Sequence, residues 1–453
     1  MLSKSRYLKG LKCTKALWLN KYKKNEAYYS ESTLNIFNQG NTAGELAQDY
    51  FPGGQLALVS DYPNSEAIAK TKALIASDET TIYEATFAAR STLVAVDILH
   101  KIDKKWHAFE VKSTNSVKNE HIRDAAIQYY VMTNAGIAIE DISIMHFDRT
   151  YVRQGEIHPQ GLFTYESVRM GINDYLLEIP NNIEGFLKVY QQEEPVVETG
   201  PHCDKPYSCE FYNYCCGLPE NQHLIESKKE KQALSTDINF INKGNIRQFL
   251  KEHAYPIYSF DFETVIHGIP QYDNSRPYQQ IPFQYSLHYQ KDINSNPEHF
   301  EFLGNGIDDP RETLIKQMIK DLGQVGSILV YSLQFERRML EELARDFPHY
   351  ASDITKIIDR LVDLAVPYRK HINTEATQRK WSLKIVMPTF LPHKSYGDLD
   401  IQDGMAAMDA YRSLAQLNDT EKEEARQAML AYCKLDTEAV LELYERLFEL
   451  SDA

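Results

Sequence analysis

With 453 residues, 43% of them hydrophobic, the chain can bury two or three separate cores. A formal charge of −15 argues against a passive nucleic-acid binder, which is usually basic. It leaves room for an enzyme whose metal ligands are themselves acids. No run approaches the ~18 apolar residues of a membrane span, and the first residues lack the apolar core of a secretory signal. Six cysteines, unevenly clustered, fit a reducing compartment such as the cytoplasm better than a disulfide framework.

The first 24 residues carry eight Lys or Arg and no acid. The apolar run Ala16-Leu17-Trp18-Leu19 within them predicts a structured basic helix rather than a transit peptide, and basic helices make phosphate contacts. β-branched and aromatic residues predict strands over Thr81–Phe87, Leu93–His100 and Trp106–Ser113, with a turn at Lys101–Lys105. A helix is expected over Asn119–Thr133. If the last two strands form a hairpin turning at Asp103-Lys104, Asp97 and Glu110 are equally far from the turn. Opposed residues hold their Cβ atoms about 4.5–5.5 Å apart. Two carboxylates so close repel unless a cation sits between them, which suggests a Mg²⁺ or Mn²⁺ site with Asp97 and Glu110 as ligands. Lys112 shares the face of Glu110, where an ammonium can orient a metal-bound water. Val94, Val96, Ile98, Phe109 and Val111 take the opposite, apolar face. Glu84 is a further acid, and His121, Asp124 and Gln128 make a helical stripe that alone reads as a solvated face.

Cys203, Cys209 and Cys215 (or its neighbour Cys216) follow some 190 residues after Cys13. Four thiolates bracketing a domain suggest a metal clasp, and spacing alone leaves zinc and an iron–sulfur cluster equal. His202 reads as a structural neighbour of the clasp. The charge-rich stretch Glu226–Gln232 reads as a linker or an exposed helix, so the domains are placed at 1–222 and 251–453 with a linker over 223–250. In the second half, strands are expected at Ile257–Val265, Phe283–Tyr289 and Ser327–Ser332. Helices are expected over Glu312–Leu322, from about Phe335, and over Glu421–Leu450. The first of these strands turns Asp261 and Glu263 to one face and Phe260 and Phe262 to the core. Tyr432 and Asp436 share a face of the last helix. Asp363 reads as a structural acid.

Asp97, Glu110-Val111-Lys112 and Gln128-Tyr129-Tyr130 together resemble the PD-(D/E)XK nucleases of the RecB type, including the CRISPR-associated RecB-like exonucleases. The resemblance implies a restriction-endonuclease-like domain with Asp97, Glu110, Lys112 and Gln128 as catalytic residues. It also favours a 4Fe–4S cluster on Cys13, Cys203, Cys209 and Cys215, with zinc as the alternative. These relatives usually carry a short Cys-x2-Cys pair and an early His ligand. Here the corresponding stretch Gly40-x3-Gly44-Glu45 has no His.

Asp261-Phe262-Glu263 with Tyr432-x3-Asp436 resembles the DEDD exonucleases of the ribonuclease H-like fold. In that group the acids hold two metal ions and the tyrosine orients water. The likeness makes Asp261, Glu263, Glu336, Tyr432 and Asp436 catalytic, with metal on Asp261, Glu263 and Asp436. The family's Asn-x-x-Phe-Asp is Ser332-Leu333-Gln334-Phe335-Glu336 here. The whole chain is similar to a bacterial family that joins a RecB-like nuclease to a ribonuclease H-like exonuclease. Shared stretches include Ser5–Leu11, Ile281–Ser286, Ser382-Leu383-Lys384 and Tyr396-Gly397-Asp398-Leu399. The expected fold class is therefore α/β, and the expected function a metal-dependent nuclease acting on nucleic acid, DNA before RNA, with no membrane partner. A non-catalytic nucleic-acid-binding or scaffold protein with a decayed second domain is the rival reading.

Overall fold

The computed structural model describes residues 1–60, 62–205, 207–218, 238–253 and 255–452. It is a mixed α/β structure that divides into two compact units. The first comprises Met1–Lys229 with Gly268–Tyr278, and the second Glu230–His267 with Gln279–Ala453.

The sheet of the first unit contains β1 (Leu2–Ser3), β2 (Gln55–Leu56), β3 (Thr81–Ala89), β4 (Thr92–Ile102), β5 (Lys105–Val111), β6 (Ile139–Phe147) and β7 (Phe163–Ser167). Its order is β2-β3-β4-β5-β6-β7, and β1 pairs parallel to β4. Strands β4 and β5 form the expected hairpin, with Ile102 paired to Lys105. Asp103 and Lys104 take left-handed φ values of 50° and 66°, the geometry a two-residue hairpin loop requires. Helix Asn119–Asn134 packs Ala125, Ile127 and Val131 into one core with Val94 and Val96. Ala43 and Ala47, from helix Glu31–Gln48, join a second cluster with Ile98, Phe109 and Phe147.

The expected basic helix is two helices, Lys4–Lys12 and Thr14–Tyr22, parted at Cys13. Several of its lysines are already bound to this unit's own acids. Lys9 pairs with Glu210, and Lys15 and Lys23 pair with Glu194 at 3.3 and 3.0 Å. The segment's charge is thus spent largely within the fold.

The second unit contains β8 (Ile238–Ile241), β9 (Ile257–Ile266), β10 (Gln280–Gln290), β11 (Glu298–Leu303), β12 (Ser327–Val330), β13 (Leu361–Asp363) and β14 (Ile372–Thr374). The main sheet runs β11-β10-β9-β12-β13. Its first three strands are antiparallel neighbours, and β12 and β13 add parallel to β9. Helix Asp419–Asp452 closes the unit and buries Val440, Leu443, Tyr444 and Leu447.

The structure redraws the domain limits. The charge-rich stretch Glu226–Gln232 lies outside the described residues. Residues 238–250, assigned to a linker, instead form β8 and an amphipathic helix, Lys243–Lys251, which buries Ile246 and Leu250 in the second core. Between β9 and β10, Gly268–Tyr278 belongs to the first unit. There Arg153 donates to the carbonyls of Pro270 and Gln271 at 2.9 and 2.7 Å, and the Tyr278 hydroxyl donates to the Ser113 carbonyl.

Ser332, at the end of β12, has φ 76°, ψ 73°. A serine in the left-handed region costs about 1 kcal/mol, and Asn tolerates that region better. Ser332→Asn is therefore expected to raise the melting temperature of this unit by about 1–3 °C. A scanning calorimetry trace with an unchanged or lower midpoint would show that contacts of the serine hydroxyl outweigh the strain.

Candidate functional sites

In the first unit the paired register of β4 and β5 ends at Ile98↔Phe109, one step before Asp97 and Glu110. Beyond it the strands part, and the Val111 N–H donates to Asp97 Oδ2 at 2.6 Å. Asp97 is thus partly engaged by the backbone. Glu110 meets a second carboxylate instead, Asp124, and two ammonium groups. Lys112 lies 2.7 Å from Glu110 Oε1 and 2.5 Å from Asp124 Oδ2. Lys4 lies 2.7 Å from Glu110 Oε1 and 3.4 Å from Asp124 Oδ1. Gln128 Nε2 donates to Glu110 Oε2 at 2.6 Å and to Asp124 Oδ1 at 3.0 Å.

His121, Asp124 and Gln128 are therefore not a solvated stripe. All three are buried, because their helix turns this face onto the sheet. Lys4 was hidden in the basic opening segment. It starts helix Lys4–Lys12, Ser3 caps that helix through Arg6 N–H, and β1 pins Ser3 to β4. Burial, then Asp124 and Asp97, push Glu110 up to about 7, while Lys112 and Lys4 oppose that rise. Burial would raise Asp124 as well, but the same two ammoniums outweigh it and hold the group well below the usual range. Burial and Glu110 push Glu84 up to about 6, against the opposing charge of Lys4.

Lys4 thus stands where an added cation would neutralise Glu110 and Asp124. Removing one partner of a buried ion pair costs about 3–5 kcal/mol. Lys4→Met is expected to lower the melting temperature without metal, and Mn²⁺ should restore more of it in the variant than in the wild type. Equal Mn²⁺ shifts in the two proteins would leave Lys4 a structural cation only.

Cys13, Cys203, Cys209 and Cys215 line one small cavity with His202, Lys12 and Lys15. None is in a disulfide. Phe211, Ala16 and Leu19 pack around them, and His202 Nε2 lies 3.7 Å from Cys203 Sγ. Cys216 is exposed, so the fourth position falls to Cys215. Burial, reinforced by the other three thiols against the opposing charge of Lys15, pushes Cys215 up to about 11. Four thiols from residues 13 and 203–215 line the same cavity, the donor type that both groups considered for the clasp require, although no three of them come within 4.8 Å of one another.

In the second unit a cleft of about 840 Å³ is floored by Asp261 and Glu263 from β9 and by Tyr432 and Asp436 from the last helix. Tyr331, Phe335, Trp381 and Tyr396 give its walls aromatic faces, and Arg369 and Lys384 supply cations. Glu263 sits beside a bulge, since the β9–β10 register shifts between Pro282 and Gln284. Glu336 lies beneath, 2% exposed, with Oε2 buried and unpartnered. Asp363 is structural as expected: its Oδ1 accepts from the N–H groups of Ser332 and Ala365 at 3.3 and 3.0 Å.

Three neighbours escaped the sequence reading of this centre. Tyr396 donates its hydroxyl to Asp436 Oδ1. Lys384 donates to the Gln402 carbonyl at 3.0 Å and lies 5.6 Å from the ring centre of Tyr396. Cys433 Sγ approaches Asp261 Oδ2 at 3.8 Å. The first two fall in stretches already singled out as shared with a family, which was the available signal.

Burial pushes Glu263 up to about 8, with Asp436 adding repulsion. Burial lifts Glu336 to about 8 and Asp436 to about 6, the latter against the Tyr396 hydrogen bond and Lys384. Acids raised in this way bind more protons folded than unfolded between about pH 5 and pH 8, so metal-free stability should fall as pH rises through that window. A divalent ion replaces those protons. Its stabilisation, read as a melting-point shift with Mn²⁺, should therefore be larger near pH 8 than near pH 5.5. A shift that does not grow with pH, or that persists in Asp261→Asn, would show that the ion binds elsewhere.

Residues 258–382 match a family model described as a domain of unknown function, DUF2779. That segment holds Asp261, Glu263, Ser332 and Glu336 and ends before Tyr396 and Asp436. Over 245 residues the chain is 28% identical to the uncharacterised protein MG366 of Mycoplasma genitalium. The match covers 49% of this chain and 35% of that protein, so the chain spans about a third of its relative's length. Among the described residues no helix is long and apolar enough to cross a membrane.

Proposed function

We propose that this protein is a metal-dependent phosphodiester hydrolase acting on nucleic acid, DNA before RNA, with its better-equipped centre in the second unit. The observation that carries the reading is the gathering of Asp261, Glu263 and Asp436 at one cleft, with Glu336 close enough to raise Asp261 electrostatically, from three separate elements and with too few cations to neutralise them. Their hard oxygen donors suit Mg²⁺ or Mn²⁺, and Glu336 Oε2 is a buried acceptor still lacking a partner. Bound there, such ions would supply Lewis acidity and an activated water. Tyr432 and Tyr396 hold the ionised form of Asp436 and can orient that water. Lys384 and Arg369 offer positive charge for a phosphate, and the aromatic walls offer faces on which unpaired bases can stack. The ribonuclease H-like and PD-(D/E)XK assignments, the cytoplasmic location and the 4Fe–4S clasp belong to the same proposal.

The first unit has a second reading, as a binding module. Lys4 and Lys112 both pair with Glu110, one of the two acids, with Asp97, on which a nuclease of the proposed type would hold metal.

Degradation of end-labelled and circular DNA and RNA, single- and double-stranded, decides between these readings. The full chain should degrade substrate with Mn²⁺ or Mg²⁺, and Asp261→Asn or Asp436→Asn should lower the rate by about 10²-fold or more. Residual cleavage in those variants that disappears with Glu110→Ala or Lys112→Ala would make the first unit catalytic too. Absence of any metal-dependent cleavage would leave the chain a binding protein.

A further inference from the structure

Cys433 has no part in the hydrolysis proposed above. It follows Tyr432 on the closing helix, is fully buried, and does not sit among apolar groups alone. Its Sγ stands 3.9 Å from the Asp261 carbonyl and 3.8 Å from Asp261 Oδ2. Ligand atoms of Asp261, Glu263 and Cys433 all lie within 4.8 Å of one another, and among the described residues no other set of three or more His, Cys, Asp or Glu does so. A buried cysteine is ordinarily a small hydrophobe, but here its sulfur is aimed at a carboxylate that also faces the cleft.

We propose that Asp261, Glu263 and Cys433 form a mixed thiolate–carboxylate site for a thiophilic divalent cation of the zinc and cobalt class, which competes with Mg²⁺ or Mn²⁺ and inhibits the centre. The proposal rests on Asp261 and Glu263 being metal ligands and adds the soft donor. Oxygen ligands alone suit Mg²⁺ and Mn²⁺, while one thiolate shifts preference toward zinc and its neighbours. Zinc binds sulfur at about 2.3 Å and carboxylate oxygen at about 2.0–2.2 Å, so two such ligands on a tetrahedral ion stand about 3.6 Å apart. The S···O distance of 3.8 Å is already close to that separation. On binding, the S–H bond breaks, sulfur donates its electron pair to the ion, and the proton passes to solvent. No electron is transferred.

Cobalt titration of the full chain tests this, because a thiolate bound to Co²⁺ absorbs strongly in the near ultraviolet. Wild type is compared with Cys433→Ser and Cys433→Ala, and the other five cysteines cancel in the difference. One equivalent of charge-transfer absorption should vanish in both variants, and Zn²⁺ should bind this site about tenfold more weakly in each. Mn²⁺ affinity, abolished by Asp261→Asn, should stay within about twofold of wild type, which also shows that the variants are folded. A flat difference spectrum, or equal Zn²⁺ affinity in wild type and variants, overturns the site. Loss of the cobalt band on replacing Cys433 in a chain that binds no Mn²⁺ at Asp261 would retain the thiolate site while refuting the Mg²⁺/Mn²⁺ centre.

Discussion

A carboxylate taken out of water must meet positive charge or keep its proton, and both candidate centres are shaped by that demand. In the first unit the charge is internal. Lys4 and Lys112 reach Glu110 and Asp124 within 3.4 Å, and Gln128 bridges the same two acids. In the second unit one lysine, Lys384, opposes the charge of Glu263 and Asp436 from nearby, and Glu336 has no cation at all. In the first arrangement two ammoniums face Glu110 and Asp124, although burial still lifts Glu110 to about 7 and Glu84 to about 6. The second retains protons, and it is the one whose charge an added cation would change most.

Holding acids together against their repulsion requires a rigid support, and the second unit has one directly behind them. Ser286 pairs with Asp261 in the β9–β10 register, and its hydroxyl bonds that of Thr437 at 2.7 Å. His288 Nδ1 reaches the same hydroxyl at 2.9 Å, and Ser259 donates to the Thr437 carbonyl at 2.6 Å. Thr437 is the residue after Asp436. Three side chains, Ser259 on β9 and Ser286 and His288 on β10, therefore fix the helix residue beside Asp436 to the strand that carries Asp261 and to its neighbour. Burial pushes both His288 and its neighbour His299 down to about 4, so at neutral pH the network adds no positive charge beside the acids.

Much of this architecture was legible from local pattern. The β4–β5 hairpin, helix Asn119–Asn134, β9 and the closing helix each have a strong period and clear ends, and each lies within a few residues of its expected place. Partners brought by tertiary packing were less visible. Lys4 sits among many basic residues, with nothing local to show that its ammonium reaches a strand 106 positions on. The stripe of His121, Asp124 and Gln128 has the polarity of a surface and the burial of a core, because mutual hydrogen bonds and two lysines satisfy it. Residues 238–250 were lost to the linker because the charged run before them masked a short amphipathic helix. The Gly268–Tyr278 excursion had no signal, since membership of a unit is a property of contacts.

Several local irregularities of the second unit adjoin its cleft. Ser332 holds a left-handed conformation suited to Asn or Gly, and four residues later Glu336 buries an oxygen without a partner. The bulge at Pro282/Gln284 adjoins Glu263, and a thiol faces Asp261. Leu287, Val330 and Leu443 are buried where the periodicity puts them, while other irregularities lie away from the cleft: Gln378 and Arg379 are left-handed, and Tyr444 and Arg446 of the closing helix bury unpartnered polar atoms. What sets the cleft apart is that its unsatisfied groups are acids within electrostatic reach of one another, a cost that strain elsewhere does not share. A divalent ion held by these acids would offset that cost.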